Sequence, residues 1–196
     1  KGKVIAPRKR LVLQNMLRKE IVSTTFIEEL LKKEKPDIYS GENNLDLRKV
    51  AEIIKYFTYP NAVVKSKLLK LLFYADFKYF QKEKKSITGL KYAHLQYGPV
   101  PDQYDFLLPT ILEMDKEIQV RIQPIGDYFG EMYVSEKPPT SNLLDVDVME
   151  TIRYVNDRFY NFSAKSIEEF SHEEKGYQET GQCELIPYSY ASELQI

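Results

Sequence analysis

Residues 63–83 constrain the fold more than any other stretch. Val64, Leu68, Leu69, Leu71, Leu72, Phe73, Ala75 and Phe77 would cover well over half the girth of a helix. A helix apolar on so many sides must be surrounded by other elements, so it is read as the centre of the core. One acid, Asp76, stands between Ala75 and Phe77. A buried carboxylate is costly unless it is hydrogen-bonded or paired. Two kinds of partner are expected: the backbone N–H groups of the Gly98–Pro99 turn, or a Lys or Arg. The role is read as structural rather than catalytic.

The other elements arrange themselves around that helix. Leu11, Leu13, Met16 and Leu17 allow a short helix over 9–19. Thr25 and Glu28 have capping-box spacing and start a second helix, which ends before Pro36. Residues 36–45 read as a loop, and the domain boundary falls there. This divides the chain into a basic, helical N-terminal segment (1–40) and a main domain (41–196). Asp46 can cap a helix that carries Leu47, Val50, Ile53, Ile54 and Phe57 at helical spacing. Breaks follow at Thr88-Gly89 and Gly98-Pro99. One or two helical turns are expected over 101–108, with Pro109 kinking or separating them from 110–116. Ile118, Val120 and Ile122, then Met132 and Val134, alternate about a Gly-rich turn, which signals a β-hairpin. Asn142 is expected to cap a long helix, and Ser163 another that frays by Gly176. A last short helix follows Pro187. The fold class expected is α+β and predominantly α-helical: a compact helical domain with one β-hairpin at about 117–136.

The residues offer little chemistry. Net charge is −1, so the whole chain is not a polyelectrolyte partner of nucleic acid. There is no run of eighteen apolar residues and thus no transmembrane helix. The single cysteine, Cys183, excludes an internal disulfide and fits a cytoplasmic protein. It lies beside Glu184 without a positive neighbour, which does not favour a thiolate. No signal-peptide pattern opens the chain, and the lack of an initiating Met reads as the start of a piece of something longer. His94 and His172 are too few for a zinc site or a triad. Within His172-Glu173-Glu174, adjacent helical residues point about 100° apart and do not converge on an ion. No catalytic residue, metal or cofactor is expected, and the chain is read as a binding protein rather than an enzyme. The basic lead, with Arg8, Lys9 and Arg10, is a candidate nucleic-acid contact. The 15 Tyr and 10 Phe suit wet, half-buried interfaces.

Several short motifs occur in a fixed order: Lys67-Leu-Leu-Lys-Leu-Leu-Phe-Tyr-Ala-Asp76, then Thr88-Gly89 and Tyr92, then Tyr97-Gly98-Pro99-Val100, and last Ser171-His172-x-Glu174 followed by Ile186-Pro-Tyr. Together they resemble the Panacea domain, the SocA-like, phage-associated antitoxin family, over roughly 46–196. Family members often carry Pro-Trp shortly after the His, where this chain has Lys175-Gly176-Tyr177. The resemblance implies an antitoxin that neutralises a cognate toxin by direct contact. It leaves as alternatives a DNA-binding operon autorepressor and an adaptor that delivers a toxin to a protease. The implied partners are the toxin, operator DNA through an N-terminal module, and a second copy in a homodimer; no membrane is implied. Lys67, Asp76, Thr88, Gly89, Tyr97, Gly98, Pro99, Val100, His172 and Glu174 are read as scaffold residues of the family motif. The partner-binding surface is expected among Tyr97, Tyr104, Tyr128, Tyr133 and Tyr177, with Tyr188 and Tyr190 as further aromatic candidates.

Overall fold

The structure is a computed structural model that describes residues 35–125, 128–140 and 142–196. The expected helices before Pro36, the contacts assigned to Arg8, Lys9 and Arg10, and most of the 1–40 segment lie outside the described residues.

Helix α1 spans Leu47–Thr58, and the Asp46 carboxylate caps it by accepting from the N–H groups of Arg48 and Lys49. A two-residue strand, β1 (Val63–Val64), leads directly into α2, Lys65–Glu83. Every residue from Leu68 to Phe77 in α2 is buried. Strands β2 (Tyr92–Leu95) and β3 (Gly98–Pro101) form a second small hairpin. Helix α3 spans Tyr104–Met114, and β4 (Ile118–Ile125) and β5 (Tyr128–Ser135) follow. Helices α4 (Val146–Phe159), α5 (Ala164–His172) and the short α6 (Lys175–Gln178) come next, and a 3-10 turn over Tyr188–Glu193 ends the order. Helix α2 packs against α1, α4, α5, β1, β3, β5 and the 3-10 turn, so the apolar helix is the hub. Among the described residues, no helix is long and apolar enough to cross a membrane.

The expectation of a predominantly helical domain with one hairpin is overturned. The fold is mixed α+β with two small sheets, one ordered β1-β5-β4 and one formed by β2-β3. Two physical reasons explain the miss. Strand β1 is too short to show any period, yet it pairs Val63 with Tyr133 and Val64 with Met132. In β3, prolines at 99 and 101 argue against a strand, because proline cannot donate to a ladder. Here Pro99 sits opposite His94, whose own N–H and C=O turn outward to Glu184 O and Cys183 N. The missing proline donor is therefore not needed.

Two smaller differences have similar causes. Pro109 lies inside a continuous α3 rather than dividing it. Leu107, Leu108 and Ile111 are buried and hold the helix down, and the Thr110 hydroxyl donates to Phe106 O at 2.8 Å. Asp145, not Asn142, caps α4 by accepting Val148 N at 2.9 Å. Its oxygen lies three residues before the N–H it serves, the usual reach of a cap. Ser163 caps α5 in the same way through Ser166 N.

Candidate functional site

Helix α2 ends at Glu83, and Lys84 takes a left-handed conformation with φ 55°. That reversal brings residues 86–89 back beside Asp76. Asp76 Oδ1 accepts from Ile87 N and Thr88 N, both at 2.9 Å. Oδ2 accepts from the Thr88 hydroxyl and from the Tyr92 hydroxyl, the latter at 2.7 Å. The carboxylate thus fastens the Thr88-Gly89 break and not the Gly98–Pro99 turn. Burial pushes its pKa up, the hydrogen bonds from Thr88 and Tyr92 pull it back, and it settles at about 6. It is fully enclosed, so it works as an internal clamp.

Lys67 is also occupied. Its ammonium donates to the carbonyls of Phe159 (2.8 Å), Tyr160 (3.2 Å) and Phe162 (2.7 Å). Those carbonyls lie at and just beyond the end of α4, where the helix leaves acceptors unpaired. Lys67 therefore ties α2 to the end of α4.

Lys70 differs from both. It is 0 % exposed, and among the described residues its ammonium makes no hydrogen bond or ion pair. Burial pulls its pKa down from 10.5 to about 8, with only a weaker opposing attraction from Glu168. Gly98, at φ +99°, lies directly above it. A Cβ at Gly98 would fall 2.5 Å from Ser171 Oγ and 2.9 Å from Lys70 Cε, so glycine is required for both the backbone and the close approach. A pocket of about 240 Å³ opens here, with Lys70 in its lining beside Leu69, Leu95, Tyr97, Val100 and Tyr104. Tyr97 stands on the rim with 61 % of its surface exposed. Lys65 and Glu131 close another side of the rim with an ion pair of 2.7 Å. The β4–β5 register puts Ile122 opposite Glu131 and Phe129 opposite Pro124, on the face that carries Glu131. Ile122 and Phe129 are 72 % and 76 % exposed, an apolar shelf outside the pocket.

The other expected aromatic residues separate. Tyr104 lines the pocket, and Tyr97 forms its rim. Tyr133 is buried at 4 % exposure and belongs to the core, because the hairpin register turns it inward with Ile118. Tyr128 begins β5. Tyr177 lies on the short α6. Its ring stacks on His94 (3.7 Å between centroids) and on His172 (4.7 Å), and its hydroxyl donates to Leu95 O at 2.9 Å. It therefore braces the β2–β3 turn from below. Tyr188 is buried and donates to Leu90 O, and the Tyr190 hydroxyl donates to Glu179. His172 closes α5, while Glu174 turns inward at 2 % exposure. Glu174 Oε2 accepts from Gln195 N at 3.2 Å, and Oε1 is buried without a hydrogen bond. Burial pushes that carboxyl up to about 7. Cys183 is an exposed free thiol. Among the described residues, no group of acids, His and Cys could hold a metal ion.

Sequence reasoning singled out Lys67 and Asp76 and missed Lys70. No local signal marked it: Lys67, Lys70, Tyr74 and Lys78 recur at helical spacing, as a solvated face would.

The fold and the site define a class of protein first: a small α+β module whose helical hub supports an aromatic-rimmed, mostly apolar pocket. The chain matches the family model described as antitoxin SocA-like, Panacea domain, over residues 68–178. It belongs to that family. The match runs from the first turn of α2 through α6 and includes the Asp76 clamp and most of the lining of the Lys70 pocket. No curated protein and no solved structure is a significant match to the chain.

Proposed function

We propose that this protein is the antitoxin of a toxin–antitoxin pair and neutralises its toxin by direct protein–protein contact. The family membership supports an antitoxin role. The observation that carries the choice of surface is the pocket under Tyr97 and Gly98, with its aromatic rim and the exposed shelf of Ile122 and Phe129. Interfaces that bind tightly concentrate their energy in buried aromatic and apolar centres surrounded by a polar rim. Tyr97, Tyr104, Phe129 and Ile122 supply such a centre, and Lys65 with Glu131 supplies polar edge. In this reading the Asp76 clamp, the Lys67 tie and the Tyr177 brace hold the surface in shape without touching the partner.

The experiment is co-expression with the protein encoded beside it in its genome. The expected outcome is a complex that survives gel filtration, together with rescue of cells from growth arrest by that neighbour. If the two proteins neither associate nor show rescue, the antitoxin reading fails.

A further inference from the structure

Lys70 is chemically out of place. Apart from the Tyr74 hydroxyl, which is also buried without a hydrogen bond, the other positions on α2 between Leu68 and Phe77 carry apolar groups or the fully bonded Asp76, and methionine or leucine would fit the surroundings of Lys70 without a charge to desolvate. The polar groups that face it come from several elements, and those with visible partners are engaged. On α5, the Ser171 hydroxyl donates to Glu168 O at 2.7 Å, and the Glu168 carboxylate attracts Lys70 only from beyond ion-pair distance. On β5, Glu131 is held by Lys65. Gly98 offers backbone alone. A buried lysine whose ammonium finds no acceptor among the described residues, lining an apolar cavity, has the arrangement of a receptor whose anion comes from outside.

We propose that Lys70 is an anion receptor, and that its occupant is an acidic side chain of the bound toxin, presented next to an apolar residue that fills the wall of Leu69, Val100 and Tyr104. This rests on the antitoxin reading above. Charge complementarity selects the occupant. One ammonium in a mainly apolar pocket of about 240 Å³ matches one carboxylate. A phosphate is a poorer match, because it is recognised by several converging donors, and the other cation of the lining, Lys65, is already paired with Glu131. The small pocket also explains the glycine at 98: a side chain there would push the lysine away from the opening.

The test uses two small probes on the whole chain: 3-phenylpropionate, which joins an aromatic ring to a carboxylate, and 3-phenylpropanamide, its uncharged counterpart. The Lys70 side-chain resonance is followed by NMR in lysine-labelled protein and assigned with Lys70→Met. The expected result is that the acid moves the Lys70 resonance, raises its titration midpoint and binds at least tenfold tighter than the amide. Lys70→Met should bind both probes alike. Equal binding of acid and amide by the wild type, or no response of Lys70 to either, overturns the proposal. So does an equal response to inorganic phosphate, which would assign the site to a free anion. With the toxin itself, Lys70→Met should lose at least tenfold in affinity while remaining folded by circular dichroism. Undiminished toxin binding by Lys70→Met overturns the receptor and leaves the antitoxin reading standing. A chain that discriminates acid from amide but ignores the neighbouring gene product overturns that reading and leaves the receptor.

Discussion

Asp76 and Lys70 lie on the same helix, both fully buried, with opposite charge and opposite treatment. At about 100° per residue, Asp76 lies about 240° round the helix from Lys70, so the two face different surroundings. Asp76 looks toward the returning chain at 86–92 and receives four donors. Lys70 looks toward the β2–β3 turn and receives no acceptor among the described residues. A buried charge with its bonds made holds a scaffold together. A buried charge without them is a standing cost, and the natural place to look for what relieves it is the pocket it lines.

Asp76→Ala should have the largest effect. It leaves two backbone N–H groups and two hydroxyls buried without their acceptor, each costing about 1–3 kcal/mol. The expected loss is about 4 kcal/mol or more, a large part of the ~5–15 kcal/mol that a domain has to lose. Urea unfolding measures it; a loss under about 1 kcal/mol would mean the clamp is not structural.

Lys70→Met should act with the opposite sign. The folded pKa of about 8 lies below the ordinary 10.5, so between these values the unfolded chain binds more protons than the folded one. Wild-type stability should therefore rise as pH climbs through that window, and the rise should be absent in Lys70→Met. At pH 7 the substitution should stabilise the protein by about 2 kcal/mol, within the range seen when a buried charge gives way to a hydrophobe. Thermal melts of both proteins at pH 7 and pH 10 check the sign and the window together.

The sequence made one of these two residues visible and hid the other, for a physical reason. An acid in an apolar run is conspicuous, so Asp76 stood out. A lysine on a helix is ordinarily solvated, so nothing set Lys70 apart as buried. Helical spacing also disclosed the core of α2 and the caps at Asp46 and Ser163, because both signals are local. What stayed hidden needed long-range contact. That the donors to Asp76 come from residues 87, 88 and 92 depends on the reversal at Lys84. That Tyr133 faces inward depends on the register of β5 against β1 and β4. The Pro-rich strand β3 depends on β2 turning the polar backbone of His94 away from it.

Glu174 falls between the two extremes: one oxygen is bonded to Gln195 N, and the other faces the Tyr74 hydroxyl without forming a hydrogen bond among the described residues. Its folded pKa of about 7 exceeds the ordinary 4.5, so the folded chain binds more protons between those values. Stability from this group is fully present below 4.5 and falls as pH rises toward 7. Glu174→Gln removes the charge and keeps an acceptor for Gln195. It should flatten that fall and raise stability at pH 8 by about 1 kcal/mol, less than Lys70→Met because half of the group is already satisfied. Urea midpoints at pH 5 and pH 8 distinguish this from a uniform change.

Tyr97→Ala tests whether the rim of the pocket is separable from its floor. The ring is 61 % exposed and caps a two-residue turn whose shape is held by Gly98, Ser171 and the Tyr177 hydroxyl instead. Its removal should change stability by no more than about 0.5 kcal/mol, as for most surface positions. It should also leave the titration of Lys70 near 8, because the desolvation of that ammonium comes from the packed walls of α2, β3 and α5. Toxin affinity should nevertheless drop by about 1–2 kcal/mol, the usual cost of truncating an aromatic anchor at an interface. Calorimetry with the toxin and an NMR titration of Lys70 give the two readouts. If Tyr97→Ala binds as well as wild type, the contact surface lies away from this turn. If it moves the Lys70 midpoint toward 10.5, the tyrosine is part of the lid that keeps the ammonium dry, and rim and floor act as one unit.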